Sequence, residues 1–119
     1  CVLFGAGRAT GIDTDPCARK EAGDNAEING LGKRIEISDM PVEKIKGRFS
    51  IVTANLRYPT LISLYPLMVN LTGKGSMLVL SGIKVSEEIE LCRLYTGEHF
   101  NIMREEREKD WSAFVVRRI

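Results

Sequence analysis

The stretch Cys1-Val2-Leu3-Phe4-Gly5-Ala6-Gly7-Arg8-Ala9-Thr10-Gly11-Ile12-Asp13 decides the fold, because its three glycines open two readings. A dinucleotide-type phosphate loop needs a strand before the glycines and a helix that starts at them, so that backbone N–H groups and the helix N-terminus face the phosphates. Val2-Leu3-Phe4 could be that strand, but the spacing is GxGxxxG rather than GxGxxG, and no helix fits between Gly7 and Asp13. In the second reading Leu3-Phe4 end a helix, Gly5 caps it, and Gly7 to Ala9 turn into a short buried strand over residues 9–12. This reading satisfies the local constraints. It leaves Asp13 at the carboxyl end of a strand, either as a turn-forming residue or as a carboxylate able to accept from both hydroxyls of a ribose.

Working outward, Asp15-Pro16 opens a helix, since Asp accepts from free N–H groups and Pro suits the first helical position. Ala18, Ala22 and Ala26 give it a narrow apolar stripe, and Asn29-Gly30 stops it. Residues 34–39 alternate polar and apolar as a half-solvated strand does. After a polar connection, residues 49–55 form a β-rich run that ends in Asn55. Residues 59–71 read as a helix that Pro66 kinks or restarts. Residues 72–75 read as a turn, and residues 77–82 as another buried strand. Val85, Ile89 and Cys92 share one face of a further helix ending near Thr96-Gly97. Residues 100–107 and 111–117 then make a hairpin around Lys109-Asp110. Strands alternating with helices imply an α/β domain with a mostly parallel sheet, closed by an antiparallel hairpin.

Composition sets outer limits. The 119 residues are 44% hydrophobic and 28% charged, an ordinary balance for a globular domain with a core of its own. Lys+Arg 17 against Asp+Glu 16 leaves a net charge of +1, which makes no global case for nucleic acid or an anionic membrane as partner. No apolar run approaches the roughly 20 residues of a membrane span. Cys1, Cys17 and Cys92 form no CxxC pair, which argues for reduced thiols in a cytoplasmic protein and against a zinc site. His99 has no nucleophile or orienting partner in the pattern, so no catalytic residue and no metal ligand is assigned. Lys84, Arg93, Arg104, Arg107, Arg117 and Arg118 are spread among acids and read as a solvated face, and Trp111 reads as core or edge cover.

Several runs together resemble a known family. They are Gly11-Ile12-Asp13-Thr14-Asp15-Pro16, Asp24-Asn25-Ala26-Glu27-Ile28-Asn29-Gly30, Val52-Thr53-Ala54-Asn55-Leu56, Leu80-Ser81-Gly82-Ile83, and the ending with Arg104-Glu105-Glu106, Trp111 and Phe114-Val115-Val116-Arg117-Arg118. In order and spacing they resemble the C-terminal part of the ribosomal-protein lysine methyltransferases that modify the eleventh large-subunit protein, which are class I S-adenosylmethionine-dependent enzymes. The resemblance covers nearly the whole chain. It implies a Rossmann-like sheet in which residues 1–119 are the C-terminal part of a single methyltransferase domain, with the first strand and helix and the Gly-rich loop lying before Cys1. Cys rather than Met at position 1 agrees with that expectation, and an upstream segment or a second chain would then complete the sheet.

The resemblance also implies a site. Asp13 resembles the carboxylate that holds the ribose hydroxyls of S-adenosylmethionine, and Asp39 resembles the residue beside the adenine. Asn55 resembles the strand-end Asn that faces the methyl donor. Leu56-Arg57-Tyr58 departs from the small apolar residues of the family, so Arg57, Tyr58 and Pro59 would line a different acceptor pocket. The implied reaction is methyl transfer to an amine nitrogen, a lysine or N-terminal amine of a ribosomal protein. Two rivals are a nicotinamide-dependent oxidoreductase, which requires a helix starting at Gly7, and a non-catalytic binding module of the same fold.

Overall fold

The computed structural model describes residues 1–119, which fall into two compact units, Cys1–Ile45 and Lys46–Ile119. In the first unit a single 3-10 turn, Val2–Phe4, ends at Gly5, whose φ of 109° is left-handed and whose N–H returns to Val2 O. The chain then enters β1 (Ala9–Ile12). No helix starts at Gly7, so the glycines make a helix-to-strand turn and the geometry required by the oxidoreductase reading is missing. Helix α1 (Pro16–Ile28) begins where Asp15 accepts from Cys17 N, with Pro at its first position, and ends at Asn29. Gly30 follows with a φ of 68°. β2 (Ile35–Ser38) pairs in parallel with β1, Ile12 opposite Ser38.

In the second unit four strands lie in the order β3-β4-β6-β5. β3 (Phe49–Asn55) runs parallel to β4 (Thr72–Lys84), and β6 (Trp111–Arg118) is antiparallel to both β4 and β5 (Phe100–Glu108). The parallel pairs are therefore those joined by crossovers, and antiparallel pairing is confined to the hairpin strands. The expected helix over residues 59–71 is two, α2 (Tyr58–Ser63) and α3 (Tyr65–Leu71), broken at Leu64 ahead of Pro66. Pro66 has no N–H to donate and cannot continue the first ladder.

Two sequence expectations change. Residues 72–75 belong to β4, where Thr72 pairs with Phe49, and the irregularity appears as a register shift before Met77. In α4 (Glu88–Tyr95) the buried face is Glu88, Leu91 and Tyr95, while Ile89 is exposed. Leu61, Leu78, Leu80, Ile83, Leu91, Tyr95, Phe100 and Val116 are essentially solvent-free and form the core of this unit. Tyr95 satisfies its one buried polar group by donating to Leu61 O at 2.9 Å.

The side-chain alternation of β4 is re-phased at one point. Leu80 faces Phe114 and Ile83 faces Ser112, so three steps on β4 match two on β6. The extra residue is a bulge at Ser81-Gly82, with Gly82 at φ 79°. The shift turns Ile83 inward to join Leu78 and Leu80.

Candidate functional site

Two clusters, one in each unit, hold the residues singled out in the sequence. In the first unit Asp13 and Asp39 directly follow the last residues of the paired strands β1 and β2. The ladder continues one step beyond β1, with Asp13 N donating to Ser38 O at 3.2 Å. The two carboxylates thus stand side by side at the carboxyl ends of adjacent parallel strands. Asp13 Oδ1 accepts from Asp15 N at 2.9 Å, which makes the turn that hands the chain to α1. Arg19, one turn into that helix, ties the pair: Nη1 donates to Asp13 O at 2.9 Å and Nη2 lies 3.8 Å from Asp39 Oδ2. Asp13 is therefore a turn former, and its carboxylate is exposed at the strand end. Asp39 comes beside it, with a side chain 74% exposed.

In the second unit Asn55 ends β3 opposite Ser81. A Cβ on Gly82 would overlap Asn55 Oδ1 and lie 3.0 Å from Leu56 O and 3.2 Å from Leu56 N. The bare glycine of the bulge is what lets the Asn55 amide and the Leu56 backbone sit against β4. These groups line an open cleft of about 760 Å³ together with Arg57, Arg107 and Trp111. Asn55 has an amide that can both donate and accept, so it can orient a polar reactant at the cleft mouth.

Two features of the cleft, and the partner of Arg118 outside it, were not legible in the sequence. Trp111, expected to be buried or to cover an edge, is 53% exposed on the cleft wall because it opens β6 directly after the hairpin turn. Arg107 is largely exposed but has a partner the sequence did not show: its Nε and Nη2 donate to the two carboxylate oxygens of Glu88, whose side chain is only 7% exposed. Arg118 likewise has a structural partner, donating to His99 O at 3.0 Å with its guanidinium carbon 5.5 Å from the Phe100 ring centre. Glu90 beside the Tyr58 hydroxyl, at the start of α2, raises the phenol above its ordinary pKa of 10.0. Besides Asn55 and Arg57, the signal in the sequence for the cleft was Ser81-Gly82, a glycine at the end of a run reading as a strand.

Three thiols, Cys1, Cys17 and Cys92, are free, and burial pushes the Cys92 thiol up, assisted by Glu105. No helix is long and apolar enough to cross a membrane.

With this geometry in hand, comparison with known proteins is informative. A ribosomal protein L11 methyltransferase from Pelobacter propionicus is 32% identical over 117 residues, covering 98% of this chain and 38% of its own length. The chain thus spans about two fifths of the curated relatives it matches. Among solved structures, a ribosomal protein L11 methylase from Lactobacillus delbrueckii subsp. bulgaricus superposes with a TM-score of 0.89 at 20% identity, over 98% of this chain and 61% of that one. An RNA methyltransferase from Salinibacter ruber, solved in complex with S-adenosyl-L-homocysteine, superposes with a TM-score of 0.68 at 17% identity, over 91% of this chain and 63% of that one. These likenesses establish the Rossmann-like α/β fold of class I methyltransferases. The profile of the ribosomal protein L11 methyltransferase (PrmA) family matches residues 1–119, and the chain belongs to that family.

Proposed function

We propose that residues 1–119 are the C-terminal part of one S-adenosylmethionine-dependent methyltransferase domain, acting on an amine nitrogen of a ribosomal protein. The observation that carries this reading is the pair of carboxylates, Asp13 and Asp39, at the carboxyl ends of adjacent parallel strands. That is where open α/β sheets take nucleosides. The donor set fits the ligand: vicinal ribose hydroxyls are two donors, and an exposed carboxylate is an acceptor for both. When bound, S-adenosylmethionine supplies a sulfonium methyl that a neutral amine attacks directly, without a covalent enzyme intermediate.

This chain's own groups then have separable roles. Asp13 accepts from the ribose hydroxyls, and Arg19 holds the Asp13 carbonyl and Asp39 in place from α1. Asp39 sits beside the adenine. Asn55 orients the reacting partners from the end of β3, and the cleft it borders, with Arg57 and Trp111, receives the acceptor. A lysine amine has an ordinary pKa near ~10.4, so the cleft must favour its neutral form. The polar groups here position the reactants and limit their hydration, which is where most of the acceleration of such a transfer arises. Family membership supports the choice of a ribosomal protein as substrate.

The test is titration of the full-length protein with S-adenosylmethionine. Asp13→Asn keeps the turn-forming oxygen and removes the charge. Hydrogen bonds to charged groups are worth about 1.5–3 kcal/mol, so the variant is expected to bind about 10- to 100-fold more weakly. Unchanged affinity would remove Asp13 from the site.

A further inference from the structure

At the end of the second unit's sheet opposite Asn55 lies a row of cations that the proposed methyl transfer does not use. Arg48 immediately precedes β3, Lys74 lies in the irregular opening of β4, and Arg117 closes β6. Three adjacent strands in the order β3-β4-β6 thus each place one cation at the same end. Two of the three side chains reach the same short segment of β4. A Cβ on Gly73 would meet Arg48 Cδ at 3.5 Å and Nη1 at 3.7 Å, and a Cβ on Gly75 would meet Arg117 Nη2 at 4.0 Å. Two guanidiniums therefore reach the Gly73-Lys74-Gly75 segment, which itself carries the exposed Lys74. Lys46 lies two residues before Arg48.

Nothing in the chain neutralises the row. The cations that pair with acids are Arg19, Lys20, His99, Arg104 and Arg107. The cross-strand partners of Arg117 are Met77 and Asn101, and Thr72 faces Phe49 beside Arg48, so no carboxylate stands opposite. The acids gather instead at the hairpin tip, in Glu105, Glu106, Glu108 and Asp110. A net charge of +1 hides this segregation along the sheet.

Like charges on neighbouring strands repel, so a converged, unpaired row is favoured when an anion bridges it. Neighbouring strands are about 4.8 Å apart, which sets cations at steps of that order along a line. A linear polyanion with regularly repeated charges matches such a line better than a folded acidic protein surface does. Guanidiniums offer the planar forks that grip phosphate oxygens two at a time, and the two glycines remove side chains that would hold a backbone away.

We propose that Arg48, Lys74 and Arg117 form a docking surface for a phosphodiester backbone, contacting RNA without reading its bases. The surface is independent of the methyl-donor reading, since it lies at the opposite strand ends. The probe is a fluorescent single-stranded RNA oligonucleotide, titrated with the full-length protein at a series of salt concentrations. Three phosphate contacts on a single strand give a slope of log K against log salt of about −2, a loss of roughly 20-fold between 50 and 200 mM. The triple variant Arg48→Gln, Lys74→Gln, Arg117→Gln is expected to lose the interaction. Arg117→Gln alone should flatten the slope by about 0.7, and Arg117→Lys should leave it unchanged. Melting curves of the triple variant check that the fold is kept, and its methyl-transfer rate should equal the wild-type rate. The proposal is overturned if the wild-type protein does not bind at 50 mM salt, or if the triple variant binds with the same affinity and slope. Equal displacement by poly-glutamate of the same charge also overturns it, and would assign the surface to an acidic protein.

Discussion

Gly82→Ala tests the coupling between the fold and the candidate site at a single atom. Gly82 has a φ of 79°, a conformation that costs an L-residue about 1–2 kcal/mol. The added methyl would overlap Asn55 Oδ1 and crowd Leu56 O at 3.0 Å and Leu56 N at 3.2 Å. Leu56 N cannot retreat freely, because it donates to Ser81 O at 3.1 Å. Forcing a group into a packed site adds about 1–3 kcal/mol, so the expected loss is about 2–5 kcal/mol. With a urea slope of roughly 2 kcal/mol/M, the unfolding midpoint should fall by about 1–2.5 M.

The size of the loss alone does not identify its cause, but a double-mutant cycle does. Asn55→Ala is exposed and should barely move the midpoint by itself. Combined with Gly82→Ala, it removes the Oδ1 overlap while the left-handed backbone and the Leu56 contacts remain. The double variant should therefore be about 1 kcal/mol more stable than the sum of the single effects requires. Additivity within about 0.5 kcal/mol would refute the claim that Asn55 occupies the space above the bulge. An unchanged midpoint for Gly82→Ala would refute the bulge itself.

Two further perturbations probe the second unit. Arg107→Ala leaves the buried Glu88 carboxylate without its cation and should cost about 2 kcal/mol, reduced from the fully buried case because Arg107 is 60% exposed; Glu88→Gln in the same background should recover part of the loss, measured by urea unfolding. Tyr95→Phe deletes the hydrogen bond to Leu61 O and should cost about 1–2 kcal/mol at neutral pH. Burial pushes the Tyr95 phenol well above its ordinary pKa of 10.0. The protonated native form is thus favoured, and its contribution is complete below pH 10 and declines above it as the unfolded chain ionises. Stability of the wild-type protein should consequently fall more steeply than that of Tyr95→Phe between pH 10 and 12, and parallel curves would contradict the assignment.

Where structure follows from neighbours in sequence, these residues announced it. Asp15-Pro16 and Asn29-Gly30 bound α1 because capping needs only the local backbone. Pro66 divides the α2–α3 region for the same kind of reason, and Lys109-Asp110 marks the hairpin. Asp13, Asp39 and Asn55 were singled out through family resemblance, and each lies at or just past a strand's carboxyl end. The errors share a different origin. Val85, Ile89 and Cys92 fit a helical period, but so do Glu88, Leu91 and Tyr95, and a glutamate is rarely buried unless it is paired. Arg107 decides the matter from 19 residues away by pairing with Glu88. Residues 72–75 looked like a turn because only the pairing of Thr72 with Phe49 places them in the sheet. Trp111 reads by type as core or edge cover, but the hairpin turn sets it on the cleft wall.

The bulge in β4 shows why the site is harder to read than the core. In a regular strand, Leu78 and Leu80 facing inward would put residue 82 inward and residue 83 outward. That register would spend an inward position on glycine and expose an isoleucine. One inserted residue reverses both outcomes, so Ile83 is fully buried against the core and Gly82 faces Asn55 instead. The same residue that repairs the hydrophobic phase therefore makes room for the strand-end amide. Neither requirement alone selects glycine with a φ of 79° at this position. A larger residue could keep the phase only by taking the left-handed conformation at a cost, and it would still displace Asn55. Core packing and cleft geometry are consequently bound to one another, which makes Gly82 a position where a loss of stability and a loss of activity should arrive together.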